Sequence, residues 1–404
     1  MVTAFVDMVG LLMVVPLLPF VTMELGGGGF VVGVLVSAFS LAQLLSAPLW
    51  GRFSDRFGRR PALLIGLGAA AVAYVVFAYA DSLWLLLLSR LVQGAGGGTV
   101  GVLQAYVADA TEPKDRARGL GWISAATSLG VMIGPAMGSA SLNLGERAPG
   151  LLAAGLCGLN MIFAWLYLRE SRVHEVDEPG RPPAVRARDA VRRVFTHWGE
   201  PAPRLIWIYA IGMGAFFGYT AILALFLEAR FGITAKTIGY VFVWIGALSV
   251  LARAYLLGKA VDRFGEARVS RFGQSLLISG LVLIPFTWRI EGVLFGVEVR
   301  WLVLGVVAGL VPLGTAFTFP CVTALLSRVI EPRERGVMMG VQQSFGGASR
   351  VVFPLVTGWA YEAGGTALPF FISAVLVFGT LFLGLGLEAE REEPQPVPDA
   401  AAAD

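Results

Sequence analysis

The same short string occurs twice in this chain, 207 residues apart. Gly51-Arg-Phe-Ser-Asp55-Arg56-Phe57-Gly58 returns as Gly258-Lys-Ala-Val-Asp262-Arg263-Phe264-Gly265. Each copy lies between two apolar segments of about twenty residues. Because self-similarity of this kind indicates duplicated structural units, the chain is predicted to fold as two homologous halves.

The composition places both halves in a lipid bilayer. Hydrophobic residues make up 56% of the chain and charged residues only 15%, whereas a soluble domain carries about 25% charged residues. The charges are clustered, so uninterrupted apolar runs reach the roughly twenty residues that a helix needs to cross a bilayer. The sequence therefore predicts an all-α, multi-pass membrane protein.

Twelve membrane spans are predicted, six in each half. Those of the first half cover residues 2–22, 30–50, 61–80, 83–109, 119–143 and 150–168. Those of the second half cover residues 205–227, 237–257, 269–288, 301–328, 337–360 and 366–387. We expect two pseudo-symmetric six-helix bundles, residues 1–168 and 205–387, joined by a cytoplasmic linker (169–204) and followed by a disordered tail (388–404).

The basic residues predict the orientation of these spans. Of the 31 lysines and arginines, 23 fall in segments expected on one side and five on the other. Because basic residues accumulate in cytoplasmic loops, both termini and the linker are predicted to be cytoplasmic. Arg90, Arg253 and Arg350 remain inside spans.

Four motifs carry a family resemblance. They are Gly51-x3-Asp55-Arg56-Phe57-Gly58-Arg59-Arg60 after span two, Arg90-x2-Gln93-Gly94-x-Gly96 in span four, Gly130-x3-Gly134-Pro135-x2-Gly138 in span five, and Asp7-x2-Gly10 in span one. This pattern resembles the major facilitator superfamily, and within it the twelve-span drug/proton antiporters that include tetracycline exporters. The resemblance covers nearly all of residues 1–387 and implies proton-coupled antiport, but no motif specifies a substrate.

In the resemblance, the loop motif is a conformational latch that holds the first half against span eleven when the protein faces outward. The latch residues are Gly51, Asp55, Arg56, Gly58, Arg59, Arg60 and Asp109, with Asp262 and Arg263 in the second copy. The second copy has Glu266-Ala267 where the first has Arg59-Arg60, so we expect two unequal gates. The alternative is that these arginines only set the topology.

Span four carries a predicted polar stripe. Arg90, Gln93, Gly97, Gly101 and Gln104 follow one another at intervals of three and four residues, which places them on one helical face. An arginine in contact with lipid costs about 2.5–3.5 kcal/mol on insertion scales. We therefore expect the stripe to face a water-filled interior, with a plain helix–helix contact as the alternative.

Asp7 is the candidate proton-binding residue. It is the carboxylate well inside the membrane region of the first half, and a carboxyl that alternates between water and apolar surroundings can change its protonation state. Arg90 is a candidate counter-charge. The alternative is that Asp7 anchors the helix at the membrane interface.

The substrate cavity is expected between the halves. Arg350 lies near the middle of span eleven, where it either pairs with an acid or meets an anionic group of the substrate. Gln93, Gln104, Tyr219 and Phe319 complete the predicted cavity, although aromatic residues of this kind more often serve only in packing.

The glycine–proline face of span five is the candidate antiport element. Gly130, Gly134, Pro135 and Gly138 produce a flat, kinkable surface. In the resemblance, this surface seals against span eight on the outer side and blocks leak. Close packing without a role in antiport is the alternative.

Together these features predict an alternating-access exporter of the bacterial inner membrane, driven by proton entry and specific for a small amphipathic organic molecule. A proton-coupled importer or facilitator of a metabolite, including an anionic one, and a non-transporting sensor are the alternatives. The phosphate-binding string Gly-x4-Gly-Lys-Ser/Thr is absent, which excludes ATP-driven export. We expect no catalytic site, metal, cofactor or nucleic-acid partner, and a monomer whose partners are the substrate, protons and the lipid bilayer.

Overall fold

The computed structural model describes residues 1–171, 187–294 and 296–386, without the side chains of Pro113, Lys114, Ala117 and Val297. The predicted tail and residues 172–186 of the predicted linker lie outside these ranges. Within them the chain is nearly all helical, in agreement with the predicted fold class.

Eight helices make up the first half, residues 1–171. They are α1 (Val2–Val14), α2 (Leu18–Glu24), α3 (Gly29–Phe57), α4 (Arg59–Ala78), α5 (Leu83–Ala95), α6 (Thr99–Ala110), α7 (Pro113–Ser141) and α8 (Ala148–Tyr167). A 3₁₀ turn, Val15–Leu17, joins α1 to α2, and another, Leu142–Leu144, extends α7. Gly58 separates α3 from α4 with a φ of +107°, a conformation that glycine adopts without steric penalty.

The second half, residues 187–386, contains eight further helices and one short hairpin. The helices are α9 (Ala187–Thr196), α10 (Pro201–Phe231), α11 (Ala235–Leu251), α12 (Leu257–Phe264), α13 (Glu266–Leu283), α14 (Val299–Val329), α15 (Arg335–Gly364) and α16 (Leu368–Leu383). A π turn, Ala252–Leu256, joins α11 to α12, and a 3₁₀ turn, Ile284–Arg289, follows α13. Strand β1 (Val293–Leu294) pairs antiparallel with β2 (Val297–Glu298), and Val293 lies opposite Glu298.

Ten helical units of the described ranges are long and apolar enough to cross a membrane. They are Val2–Glu24, Gly29–Phe57, Arg59–Ala78, Leu83–Ala110, Arg118–Leu144, Ala148–Tyr167, Pro201–Phe231, Ala235–Phe264, Glu266–Arg289 and Val299–Val329. α15 is long but carries Gln342, Gln343 and Arg350, and α16 is apolar but has only 16 residues. Ten of the described helical units therefore meet both criteria, and α15 and α16 do not.

The two halves pack against each other through long helix pairs. α3 lies along α15, α7 lies along α11, and α2 contacts α10. Leu17 and Phe20 of the first half belong to the same buried cluster as Tyr219 and Phe226 of α10. We call the end of the bundle where α3 meets α4 the arginine-rich end, because Arg52, Arg56, Arg59 and Arg60 lie there.

Helix α9 shows that the linker is not entirely polar. Ala190 and Val194 are buried in a cluster with residues of α10, α14 and α15. Arg193 Nε lies 2.5 Å from Glu200 Oε2, and Arg193 Nη1 lies 3.0 Å from Glu334 Oε2. The hydrogen bond to Glu200, together with the charges of Glu200 and Glu334, raises the pKa of Arg193. The linker thus includes an amphipathic helix that packs onto the second half.

Candidate functional site

A cavity of about 580 Å³ lies between the two halves. Its wall includes Ser40, Gln43, Leu44, Ala47, Pro48, Trp50 and Gly51 of α3, Arg59 of α4, Val100, Gly101 and Ala105 of α6, and Gln343, Ser344, Gly347 and Arg350 of α15. This volume falls within the range of about 300–1,000 Å³ that is typical of small-molecule sites. The wall is apolar with a few polar groups, which suits an amphipathic molecule.

The described helices seal the cavity at one end and leave it accessible from the other. Away from the arginine-rich end, Ser37 Oγ donates a hydrogen bond to Val351 O at 2.6 Å, and the N–H of Phe30 donates to Glu362 Oε1 at 2.9 Å. Toward the arginine-rich end the cavity wall reaches Ser54 and Arg59. A methyl group added at Gly101, which lines the cavity, would meet no atom of another described helix within 4 Å.

Of the residues predicted to line the cavity, Arg350 lies in the described cavity wall. Its Nε is 3.4 Å from Gly346 O, one turn earlier in α15. The guanidinium carbon lies 5.4 Å from the ring centroid of Phe217. Arg350 has no acidic partner among the described residues, so the predicted alternative of a structural ion pair is not seen in this part of the chain.

The other predicted cavity residues lie away from the described wall. Tyr219 is 1% exposed and packs against Phe370, with ring centroids 6.2 Å apart. Phe319 packs against Tyr209 at 5.5 Å. These two aromatic residues therefore serve in packing, which was the alternative to lining the cavity.

The predicted polar stripe of span four is wrong as a single face, because the span is not one helix. α5 ends at Ala95 and α6 begins at Thr99, and three glycines separate them. Side chains of α3 satisfy the carbonyls freed by this break: Trp50 Nε1 donates to Ala95 O at 2.5 Å, and Gln43 Nε2 donates to Gly97 O at 3.1 Å.

The break divides the stripe between different surroundings. Gly97 and Gly101 line the cavity. Arg90 and Gln93 are instead buried in the core of the first half, and Gln104 is exposed outside the cavity wall. The glycines at the break allow α3 and α4 to approach closely, since a methyl group added at Gly98 would collide with Trp50 and one at Gly96 with Ala69. The spacing of the polar residues does not reveal this.

A buried polar cluster occupies the core of the first half. Asp7 is 8% exposed, and its Oδ2 accepts a hydrogen bond from Thr99 Oγ1 at 2.7 Å. Gln93 Nε2 donates to Tyr74 Oη at 2.6 Å. Thr99 is the first residue of α6, so Asp7 contacts the segment whose next residues line the cavity.

Arg90 belongs to the same core but does not pair with Asp7. Its side chain is 1% exposed, with Nη2 3.2 Å from Ser89 Oγ and the guanidinium carbon 5.4 Å from the Phe77 ring centroid. No carboxylate of the described chain lies within ion-pair distance of Arg90. The expected counter-charge contact is therefore absent in this part of the structure, because Asp7 faces Thr99 beyond the glycine break.

The loop motif forms a charge cluster around Arg59. Arg59 Nη1 lies 2.6 Å from Asp55 Oδ1 and 3.0 Å from Ser54 Oγ, and Arg59 Nε lies 2.8 Å from Asp109 Oδ2. The Arg59 side chain is 15% exposed, whereas that of Asp55 is 64% exposed. The ion pair between Arg59 and Asp109 thus joins the start of α4 to the end of α6.

Glu170, which the sequence analysis does not single out, caps α4. Its two carboxylate oxygens accept hydrogen bonds from the backbone N–H groups of Arg59 and Arg60 at 2.8 and 3.1 Å. A methyl group at Gly58 would collide with this carboxylate, and Arg60 donates to Trp165 O. A carboxylate is favourable at a helix N-terminus. Its position three residues after α8 gives only a weak sequence signal.

The second copy of the motif also carries an ion pair, with the charges exchanged. Glu266, the first residue of α13, pairs with Arg328 near the end of α14. Asp262 and Arg263 are exposed on α12, and the Arg263 guanidinium lies 5.5 Å from the Phe264 ring centroid. The equivalent Arg56 lies 5.3 Å from the Phe57 ring centroid.

The three glycines of the span-five motif pack against α1 rather than span eight. A methyl group added at Gly130 would lie 2.7 Å from Met8 Cβ, and one added at Gly134 would lie 2.9 Å from Leu12 Cβ. Gly138 also approaches α1, at Met13. The expected contact with span eight is therefore made by Pro135 of the motif and not by its glycines.

Another face of α7 makes the contact with span eight. Ser139 Oγ donates to Ala235 O at 2.7 Å and accepts the N–H of Gly239 at 2.9 Å. Gly239 also faces Pro135, and Gly246 faces Met132. Ser139, which bonds across the halves at this contact, was missed by the sequence analysis.

Comparisons with known proteins agree with this architecture. The family model described as Major Facilitator Superfamily matches residues 1–312 and 231–403. The chain is 32% identical to the tetracycline resistance protein, class C, of Escherichia coli, over 89% of this chain and 88% of that protein. It is 28% identical to multidrug resistance protein 1 of Bacillus subtilis, over 95% of this chain and 92% of that protein.

Solved structures give the same result. The human organic anion transporter MFSD10 is 26% identical, with a TM-score of 0.68 over 95% of this chain and 97% of that one. The nucleoside transporter NupG has a TM-score of 0.72 at 13% identity, over 97% of this chain and 98% of that one, which is evidence for the fold alone. The chain belongs to the Major Facilitator Superfamily and is a multi-pass membrane transporter.

Proposed function

We propose that this chain is a proton-coupled exporter that carries a small amphipathic organic molecule out of a bacterial cell by alternating access. The observation that carries the proposal is the cavity between the halves, sealed at one end and accessible from the other. The relatives named for resistance to tetracycline and to multiple drugs support an efflux role. The name of the human relative supports an organic cargo.

The proposed architecture has twelve spans in two pseudo-symmetric six-helix bundles, residues 1–168 and 205–387. The linker (169–204) is cytoplasmic, and the tail (388–404) follows the second bundle. α15 and α16 supply spans eleven and twelve, since α15 packs along α3 and α16 packs against α10 and α13. The internal repeat and the two ion pairs at equivalent helix ends support the symmetry.

The proposed orientation places the arginine-rich end in the cytoplasm of a cell bounded by a bacterial inner membrane. Basic residues accumulate at this end, as they do in cytoplasmic loops. Both termini then lie in the cytoplasm. With this orientation the cavity would open to the cytoplasm and receive its cargo from there.

Asp7 is the proposed proton carrier. It is buried, its carboxylate accepts the Thr99 hydroxyl, and Thr99 begins the segment that lines the cavity. Arg90 provides a fixed positive charge in the same core without touching Asp7. Neither a cofactor nor a nucleic acid takes part, and the transporter works as a monomer in the bilayer.

Closure of the cytoplasmic end completes the proposed cycle. Asp55 is largely exposed in the structure and becomes the latch contact to span eleven when the cavity closes below the cargo. Arg59, Asp109 and Glu170 hold Asp55 and the start of α4 in place. The contact of Ser139 with α11 opens in the same step.

The direction of proton-dependent flux tests the proposal. Everted membrane vesicles, whose lumen is acidified by respiration, are expected to accumulate tetracycline when they contain this chain and to release it when a protonophore is added. Vesicles without the chain are the control. Uptake into right-side-out vesicles from an acidic medium would instead indicate an importer, and the absence of flux in both preparations would indicate a sensor.

A further inference from the structure

We infer that the cavity selects an organic anion, a molecule with one carboxylate-like group and an apolar aromatic body. This inference rests on the proposed function, because it names the substrate class of the same cavity. The observation behind this inference is the guanidinium of Arg350, which has no described acidic partner and lies in a cavity wall whose described residues include no aspartate or glutamate.

The charges of the wall all have one sign. Among the described lining residues, Arg59 and Arg350 are charged, and no aspartate or glutamate is present. Asp55 and Asp109 balance Arg59 near the arginine-rich end. Arg350 is not balanced by any described acid. The deeper part of the cavity therefore attracts an anion and repels a cation.

The donors of Arg350 remain available to a ligand. Its Nε makes one long hydrogen bond within its own helix, at 3.4 Å, and the two terminal nitrogens have no hydrogen-bond partner in the described ranges. A guanidinium presents a planar pair of donors that matches the two oxygens of a carboxylate. The contact with the Phe217 ring orients the group.

A second cation, Arg253, lies near Tyr209 but outside the described cavity wall. Arg253 belongs to the π turn between α11 and α12, and π turns are frequent at functional sites. The Tyr209 hydroxyl lies 3.5 Å from Gln343 Oε1, and Gln343 lines the cavity. Arg253 is therefore a more distant cation than Arg350 for a ligand in the cavity.

The facing wall suits the rest of the ligand. Leu44, Ala47, Pro48, Trp50 and Val100 line the cavity from the first half. The Trp50 indole N–H already donates to Ala95 O, so its ring presents apolar area to a ligand. An aromatic body therefore fits between this surface and the guanidinium.

Equilibrium dialysis with three ligands of the same shape tests which ligand charge the cavity prefers. Naphthoate, naphthamide and naphthylmethylammonium share one aromatic body and carry negative, zero and positive charge. We expect the full-length protein in detergent to bind naphthoate most tightly. Arg350→Gln is expected to weaken naphthoate binding by about ten- to hundredfold and to leave naphthamide unchanged.

Three further variants control this measurement. Arg350→Lys keeps the charge but not the paired donors, so naphthoate should bind with intermediate affinity. Arg253→Gln should cause a smaller loss than Arg350→Gln. Arg289→Gln, which changes the net charge equally at an exposed position outside the cavity wall, should leave all affinities unchanged. Thermal unfolding and gel filtration confirm that each variant is folded.

Several outcomes overturn the anion site. They are equal or tighter binding of the ammonium ligand, equal losses for all three ligands in Arg350→Gln, and no binding of naphthoate. The exporter proposal fails separately. If naphthoate prefers the wild-type protein while everted vesicles accumulate no tetracycline, the anion site stands without proton-coupled efflux. If the vesicles accumulate tetracycline while naphthoate shows no preference, efflux stands without an anion site.

Discussion

The two halves join equivalent helix ends with ion pairs of opposite polarity. In the first half the cation, Arg59, begins α4 and the anion, Asp109, lies at the end of α6. In the second half the anion, Glu266, begins α13 and the cation, Arg328, lies at the end of α14. At this position the second copy of the motif thus carries the opposite charge, while Asp262 and Arg263 keep the charges of Asp55 and Arg56.

Helix dipoles make the two pairs unequal. A negative charge is favourable at a helix N-terminus and a positive charge at a C-terminus. Glu266–Arg328 satisfies both preferences, whereas Arg59–Asp109 opposes both. The first pair therefore depends on its neighbours, Asp55 and Glu170. In the proposed cycle this pair and Glu170 hold Asp55 in position for the latch contact.

The halves also differ in where their polar groups lie. The first half buries Asp7, Arg90 and Gln93 in its own core. Both halves contribute a cation to the cavity wall, but Arg59 of the first half pairs with two acids, whereas Arg350 of the second half has no described acidic partner. This contrast favours a division of labour in which the first half handles the proton and the second half recognises the cargo.

Asp7→Asn should have the largest effect on this division. The amide retains the size of the side chain and can accept the Thr99 hydroxyl, but it cannot bind and release a proton. We expect loss of transport driven by a pH gradient, measured in proteoliposomes, with substrate exchange in the absence of a gradient preserved. Asp81→Asn, at an exposed position, is the matched control. Gradient-driven transport at the wild-type rate would remove Asp7 from coupling.

Arg90→Met should separate stability from transport. Replacing buried charges by apolar groups of similar volume is often neutral or stabilising, by up to about 4 kcal/mol, and Arg90 has no described acid to leave behind. We expect an unchanged or higher thermal unfolding midpoint together with slower proton-coupled transport. Arg350→Met, at the cavity wall, should change stability by less than about 0.5 kcal/mol. A lower unfolding midpoint for Arg90→Met would show that Arg90 stabilises the first half, which would contradict a role in transport alone.

Exchanging the charges of the second ion pair should have the smallest effect. Glu266→Arg combined with Arg328→Glu keeps the pair but opposes both helix dipoles, so we expect a loss of about 0.3–1 kcal/mol per charge. The loss of stability is measured by thermal unfolding. The single variant Arg328→Glu, which places two acids together, should be less stable than the double variant. Wild-type stability in the double variant would show that the dipoles do not distinguish the two pairs.

Hydropathy and the repeated motif were sufficient to predict the family and the all-α membrane class, because apolar length and loop chemistry are local properties of the sequence. The surroundings of Arg90 were not predictable, since the interruption of the span at three consecutive glycines separates Arg90 from the part of the stripe that lines the cavity. Glu170 and Ser139 act on helices far away in the sequence. The lack of a described acid beside Arg350 could not be predicted either, because any partner would come from the packing of another helix.

In the proposed cycle, the break between α5 and α6 would link proton binding to cargo binding. The hydroxyl of Thr99, where α6 begins, donates to Asp7, and the next residues, Val100 and Gly101, line the cavity. A neutral Asp7 no longer requires that donor, so α6 can shift and reshape the surface on which the cargo rests. Linkage is reciprocal: a cargo that holds α6 in one position must alter proton affinity by the same factor, although the two ligands never touch.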